Sequence, residues 1–358
     1  MRRDRLTRLR EKMEAEELGA FIVLDLLNVR WLSGFAGSSG ACVVTPSEEI
    51  LFTDGRYRIQ AGEECPGWEL RISGEPLAAQ SGAFLAERGA VRAGFEPDVM
   101  TCEQLELIRA AAPATVLEGR KGMVSEMRAV KDLRELELIR RAACVTDRAY
   151  REIIAHLRPG VSERDVAIEL AYVLGKAGAE RESFPCIVAS GPRSALPHAR
   201  PTERPLRMGE PVLLDFGGAA EGYAADITRT VFLGEPAAEL ARVYGVVLTA
   251  QEAALEAIRP GVSGRDVDGV ARRVIADAGY GDCFGHGLGH MLGLDVHDGP
   301  ALSPRSSVVL QEGMVVTVEP GIYLDGVGGV RIEDDVVVTA DGCEVLTASP
   351  KDLLVLEG

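Results

Sequence analysis

The first hundred residues alternate short apolar runs with amphipathic stretches. Residues 3–18 are charged, with leucines at 6, 9 and 18, which predicts a surface helix; 20–24 then predicts a buried strand. Strand-like runs follow at 41–45, 50–53 and 68–72, with helical stretches at 76–88 and 101–112. That alternation predicts an α/β domain. Next comes Met127-Arg-Ala-Val-Lys-Asp-Leu-Arg-Glu-Leu-Glu-Leu-Ile, charged and with its aliphatic residues at helical spacing. A boundary just before it, near 125, divides the chain into domains 1–125 and 126–358.

The second part contains an internal repeat. Arg158-Pro-Gly-Val-Ser-Glu-Arg-Asp-Val166 and Arg259-Pro-Gly-Val-Ser-Gly-Arg-Asp-Val267 agree at eight of nine positions. In both, a helical stretch runs into Pro-Gly, and Ser-x-x-Asp then caps a new helix: Ser162 with Asp165, Ser263 with Asp266. Polar residues recur at a similar offset. His198 and His297 are 99 apart, Asp215 and Glu319 104 apart, Asp226 and Glu333 107 apart. Two long units of this kind predict a pseudo-twofold domain with its site on the axis, rather than a solenoid of short repeats.

Composition narrows the function. A net charge of −16 repels phosphate backbones and anionic head groups, so neither nucleic acid nor a membrane is an expected partner. The basic start, Met1-Arg-Arg-Asp-Arg, is diluted by Glu11, Glu14, Glu16 and Glu17. The first apolar run, 21–27, is short and broken by Asp25, unlike a secretory signal; no run is long enough to span a bilayer, and a cytoplasmic protein is expected. Seven cysteines without a C-x-x-C pair predict reduced thiols.

Asp215 and Asp226 flank a glycine-bearing connection between apolar runs, so a β-hairpin would set the two carboxylates side by side; Glu319 and Glu333 flank a similar connection. Four converging carboxylates repel one another unless cations sit among them. Gly285-His-Gly-Leu-Gly-His-Met-Leu-Gly-Leu-Asp-Val-His297 carries three of the five histidines. Its glycines at 285, 287 and 289 disfavour a helix, so it is no H-E-x-x-H zinc helix, and their spacing is not the phosphate-cradling G-x-G-x-x-G. Gly37-Ser-Ser-Gly-Ala misses a nucleophile elbow by its final alanine. An oxygen-rich site with one histidine suits manganese, cobalt or a pair of zinc ions.

Five segments carry a family resemblance: Leu214-Asp215-Phe-Gly-Gly, Ala225-Asp226-Ile-Thr-Arg-Thr, His286-Gly-Leu-Gly-His290, Thr317-Val-Glu319-Pro-Gly and Arg331-Ile-Glu333-Asp-Asp. In this order they resemble the metal-binding segments of the metallopeptidase family that contains methionine aminopeptidase, prolidase and aminopeptidase P. The resemblance implies a pita-bread catalytic domain. Pro197-His198-Ala, Gly293-Leu-Asp-Val-His297-Asp and Arg331 are similar to extra positions of the proline-specific branch. Asn28-Val-Arg-Trp-Leu-Ser-Gly-Phe and Phe52-Thr-Asp-Gly-Arg-Tyr resemble its creatinase-like N-terminal domain.

The likeness implies two divalent ions per subunit, manganese first with cobalt or zinc as alternatives. Asp226 and His290 would complete one ion's sphere, Asp215 the other's, with Glu319 and Glu333 reaching both and a bridging water between them. Glu319 would be the general base, His198 and His297 would steady the oxyanion and the proline-side carbonyl, His286 and Arg331 would shape the site, and Thr228 would brace Asp226. The implied activity is an Xaa-Pro aminopeptidase, the alternative an Xaa-Pro dipeptidase whose cation for the free carboxylate could be Arg193 or Arg200. The likeness further implies a homodimer acting on peptides with proline second. A metal-free amidinohydrolase like creatinase, or a binding module on this fold, would have lost ligands that are present here.

Overall fold

In the computed structural model, which describes residues 2–357, the apolar run broken by Asp25 is two elements. Ala20–Val23 is a buried strand, and Asp25 caps the helix Leu26–Ser33 by accepting from the Leu27 amide at 3.0 Å. The chain divides into two units after Arg128. In the first, six strands lie in the order Glu69–Ile72, Glu49–Thr53, Gly40–Val44, Ala20–Val23, Arg92–Phe95, Val116–Gly119. Gly40–Val44 pairs antiparallel with both neighbours and the other pairs are parallel. The helix Arg2–Ala15 is shorter than the expected 3–18, because Glu17 turns left-handed, and its Leu6 and Leu9 are buried. The helices Leu77–Glu87 and Cys102–Ala111 fall within a residue of expectation. The strands Arg92–Phe95 and Val116–Gly119 were not legible, being four residues long and lacking clean alternation.

In the second unit the sequence repeat is a structural one. The helix Leu133–Ile153 leads to Glu163–Ala177, capped by Ser162, and Ala238–Ala257 leads to Gly264–Asp277, capped by Ser263. Both serines accept from the amide three residues on, Asp165 at 3.0 Å and Asp266 at 3.1 Å. Each Pro-Gly turn is tied to a later segment in the same way: Gly160 to Leu206 and Glu163 to Arg204, then Gly261 to Leu310 and Gly264 to Val308. Two apolar cores result. One gathers Tyr150, Leu170, Leu214 and Val231, the other Val247, Ile275, Val316 and Val336.

Each core lies under a long hairpin. The first pairs Glu210–Phe216 with Ile227–Leu233 and continues as Gly218–Ala220 with Tyr223–Ala224. Its tip, Glu221 and Gly222, has φ of 47° and 88°, the two-residue turn that matches strand twist. The second pairs Val315–Val318 with Asp334–Val338 and continues as Gly321–Leu324 with Gly328–Arg331. Both ladders break part-way, the first around Gly217 and Asp226, the second around Glu319-Pro320 and Glu333. Interrupted pairing frees side chains to be re-aimed, and Pro320 has no N–H to give. The breaks face each other: the Glu333 amide donates to Thr228 O at 3.1 Å and the Asp226 amide to Asp335 Oδ2 at 2.9 Å. Among the described residues no helix is long and apolar enough to cross a membrane.

Candidate active site

The two ladder breaks bring the carboxylates together. In the first hairpin the residue opposite Asp215 is Thr228, so Asp226, two residues earlier, lies diagonal to Asp215 rather than directly across as the hairpin argument expected. In the second, the register that pairs Val318 with Asp334 continues to set Glu319 opposite Glu333. Gly217 is required here, since a Cβ would fall 1.7 Å from the Ala225 carbonyl oxygen. Gly217→Ala is therefore expected to cost about 3 kcal/mol or more, the upper range for overpacking, read as a lower urea midpoint.

The glycine-rich segment is a loop ending in the two-residue strand Gly289–His290, which pairs with Ala301–Leu302. Gly289 lets it lie against the second hairpin, where a Cβ would meet Thr317 O at 2.0 Å. The His290 amide donates to Thr317 Oγ1 at 3.0 Å, and Thr317 Oγ1 donates in turn to Glu319 Oε1 at 3.2 Å. His290 Nδ1 lies 3.2 Å from Met291 O, which turns Nε2 toward the carboxylates, 3.6 Å from Asp226 Oδ2 and 3.5 Å from Glu319 Oε1. Burial, with His297 beside it, pulls His290 down to about 4, so the ring is neutral at pH 7 and its lone pair is available.

Asp226, His290 and Glu333 each present a ligand atom within 4.8 Å of the others. Burial and then the neighbouring carboxylates raise Asp226 and Glu333 well above the ordinary carboxyl range. Asp226 Oδ1 and Glu333 Oε1 are buried without a hydrogen-bond partner. Orphaned oxygens, mutual repulsion and a neutral imidazole are the donor set a divalent cation fits.

Asp215 lies beside that triad, next to Asp226, with Arg331 Nη2 donating to its Oδ2. Arg331 is buried and also donates to Thr228 Oγ1 at 3.0 Å, Tyr323 Oη at 2.8 Å and Pro197 O at 3.3 Å. Burial works against its charge, but Tyr323, Asp215, Glu319 and Glu333 around it hold it protonated. It does not pair with Asp334, which takes Arg229 and Lys351 instead. Thr228 braces Glu333, donating to Oε2 at 2.6 Å, and not Asp226 as the family likeness implied. Asp226 has Asp335 behind it.

The other histidines have different neighbours. The His297 ring is 4.3 Å from that of His290. His286, brought down to about 4 by burial and then by Arg331, shares a 2.8 Å hydrogen bond with Tyr323 Oη. His198, exposed, lines a cavity of about 340 Å³ with His286, Tyr323, Pro197, Cys283 and Asp282. Tyr323, Thr317 and Asp335 were missed by sequence reasoning. Asp335 alone had a signal, lying two residues past Glu333 in a run of three acids. Of the two arginines considered for a substrate carboxylate, Arg193 is engaged by Glu163 at 3.0 Å, while Arg200 is exposed.

Residues 137–340 match metallopeptidase family M24, and residues 5–130 match the creatinase/prolidase N-terminal domain. The chain belongs to metallopeptidase family M24. It is an enzyme of pita-bread architecture, a metallopeptidase whose family implies divalent metal ions. The uncharacterized peptidase YqhT of Bacillus subtilis is 40% identical over 352 residues, covering 98% of this chain and 100% of the relative. An Xaa-Pro dipeptidase structure from Bacillus anthracis superposes with a TM-score of 0.96 at 38% identity, covering 99% of this chain and 100% of the other. An X-Pro aminopeptidase structure from Thermotoga maritima gives 0.91 at 38%, covering 98% and 100%. Similarity to this M24 group thus spans nearly the whole chain.

Proposed function

We propose that the enzyme hydrolyses the peptide bond preceding a proline in second position, releasing the N-terminal residue. The observation that carries this is the group of buried Asp226 and Glu333 with half-buried His290, with two orphaned oxygens and Glu319 and Asp215 at its border. We propose Asp215, Asp226, His290, Glu319 and Glu333 as ligands of two divalent ions, manganese first. Bound ions supply Lewis-acid polarisation of the scissile carbonyl and a more acidic water.

The side chains supply the rest. Glu319, partly exposed and raised to about 8 chiefly by burial, takes a proton from water and delivers it to the proline nitrogen. His198 and His297 donate to the developing oxyanion and to the proline-side carbonyl. Arg331 holds Asp215, Thr228 and Tyr323 in one arrangement and so keeps Glu333 and His286 in place. Arg331→Lys puts a single ammonium where the fork reached four acceptors; losing about 1.5–3 kcal/mol of charge-assisted bonding is expected to lower kcat/KM by about 10- to 100-fold, checked by steady-state kinetics with metal in excess.

The dipeptidase reading is the second one, favoured by the name of the Bacillus anthracis relative and by Arg200, whose side chain makes no hydrogen bond or ion pair among the described residues. Arg193, already committed to Glu163, favours the aminopeptidase. Hydrolysis of Ala-Pro, Ala-Pro-Ala and Ala-Ala-Ala by metal-stripped protein refilled with manganese tests both. Cleavage of Ala-Pro-Ala alone supports the aminopeptidase and cleavage of Ala-Pro alone the dipeptidase; cleavage of neither with any divalent ion rejects both. We place the enzyme in the cytoplasm as a homodimer, which sedimentation of a lone 38.3 kDa species at micromolar concentration would reject.

A further inference from the structure

The two copies of the nine-residue repeat differ at one position, where the first has Glu163 and the second Gly264. Both residues open a helix and make the same backbone bond, to Arg204 O at 3.0 Å and to Val308 O at 2.9 Å. The side chain is where the symmetry ends. A Cβ on Gly264 would meet Ser306 Oγ at 2.8 Å and Val308 Cγ1 at 2.9 Å. The Glu163 carboxylate, fully buried, accepts from Ser190 N and Oγ at 2.9 Å each, Arg193 Nε at 3.0 Å, Thr202 N at 3.1 Å and Thr202 Oγ1 at 2.7 Å.

These donors lie on both sides of His198. Arg193 extends the arrangement by donating to Arg200 O at 2.6 Å, and Arg331 reaches Pro197 O from the site. The segment 190–202 is thus pinned at each end by one carboxylate, with an exposed histidine between the pins. In the second copy the segment bearing His297 is held differently, through buried Asp298, whose amide donates to Met291 O at 2.8 Å and whose Oδ2 lies 3.6 Å from Lys131 Nζ.

We propose that Glu163 is a positioning residue, whose carboxylate sets the geometry of the loop that presents His198 to the substrate. This rests on the reading of His198 as part of the active site. Glu163 itself touches neither substrate nor metal. It accounts for the one departure from symmetry in the repeat, because a buried carboxylate with five donors stays only where those donors need it.

The test compares manganese-loaded wild type, Glu163→Gln, His198→Ala and the double variant on a substrate the wild type cleaves. Glutamine keeps the shape but turns one acceptor into a donor facing donors. Expected are a kcat loss of about 100-fold in His198→Ala, a loss of about 10-fold in Glu163→Gln with KM within about twofold, and no further loss in the double. Amide hydrogen exchange at 190–202 should rise in Glu163→Gln while Leu133–Ile153 stays unchanged. Losses that multiply in the double variant, an unchanged kcat in Glu163→Gln, or exchange that rises uniformly each overturn the proposal while leaving the peptidase reading standing. Full activity in His198→Ala removes that histidine from the site and overturns the proposal with it.

Discussion

Glu319→Gln is expected to lower kcat by about 10³-fold, within the 10²–10⁴ range for removing a positioned general base, with little change in fold. Glu319 is the member of the carboxylate group that is both partly open and well placed, 3.5 Å from His290 Nε2 and held by Thr317 Oγ1 at 3.2 Å. Burial raises it to about 8 and Arg331 opposes that rise. Glutamine preserves the volume and the Thr317 contact but cannot receive a proton. Metal affinity falls too, since a charge has gone, so kcat is compared at saturating metal with bound metal measured. A loss that disappears once the metal is restored would reduce Glu319 to a ligand. A loss that persists, with the acidic limb of the pH profile flattened, leaves it the base.

Asp226→Asn should abolish activity and yet stabilise the metal-free protein. Asp226 is buried, its Oδ1 has no partner, and it is raised by burial and then by Glu333, Asp215, Asp335 and Glu319. A carboxyl raised on folding favours the folded state in full below its unfolded value, near the ordinary 3.8 to 4.5, and loses that contribution as the pH climbs through the folded value, about 8 for Glu319. Metal-stripped wild type should therefore melt higher at pH 5 than at pH 8. Manganese at about 100 times its dissociation constant adds about 2.7 kcal/mol, or roughly 5–10 °C for a unit of this size, and more of that gain appears at pH 8, where the ligands are ionised. In Asp226→Asn the metal-free Tm at pH 8 should rise, the manganese increment should shrink, and kcat should fall at least about 100-fold. A metal-free Tm that drops at pH 8 would mean that the carboxylates do not repel one another as their burial implies.

What could be read beforehand was what is written locally or repeated. Ser-x-x-Asp after Pro-Gly marks a helix start with four side-chain and backbone groups within one turn, so both copies were visible. The offsets among Asp215, Asp226, Glu319 and Glu333 carried the convergence of four acids, because a repeated fold carries its residues to matching places. The diagonal placement of Asp226 was not visible, since the two-residue turn at Glu221-Gly222 sets a register that runs unchanged past Gly217 and puts Asp215 opposite Thr228, two residues beyond Asp226. Tyr323 was out of reach for another reason. Its partners, Arg331 and His286, are 8 and 37 residues away, and nothing in Gly-Ile-Tyr-Leu distinguishes it from an ordinary strand residue. Thr228 is legible but its partner is not, because its hydroxyl crosses to Glu333 on the other hairpin, 105 residues on.

The two apolar cores have a mechanical consequence. Of the proposed ligands, Asp215 and Asp226 belong to one half and His290, Glu319 and Glu333 to the other, so neither half alone would hold a cation as the pair would. On the proposed ligand set, a bound ion would act as a rivet across the seam, offsetting the repulsion between the facing carboxylates of the two hairpins. Exchange of the Glu333 and Asp226 amides, which bridge the seam to Thr228 O and Asp335 Oδ2, should slow sharply on adding manganese, while amides inside either core barely respond. Cooperative unfolding of the two halves as one body would then be a property of the loaded enzyme, and the stripped chain would come open first along that line.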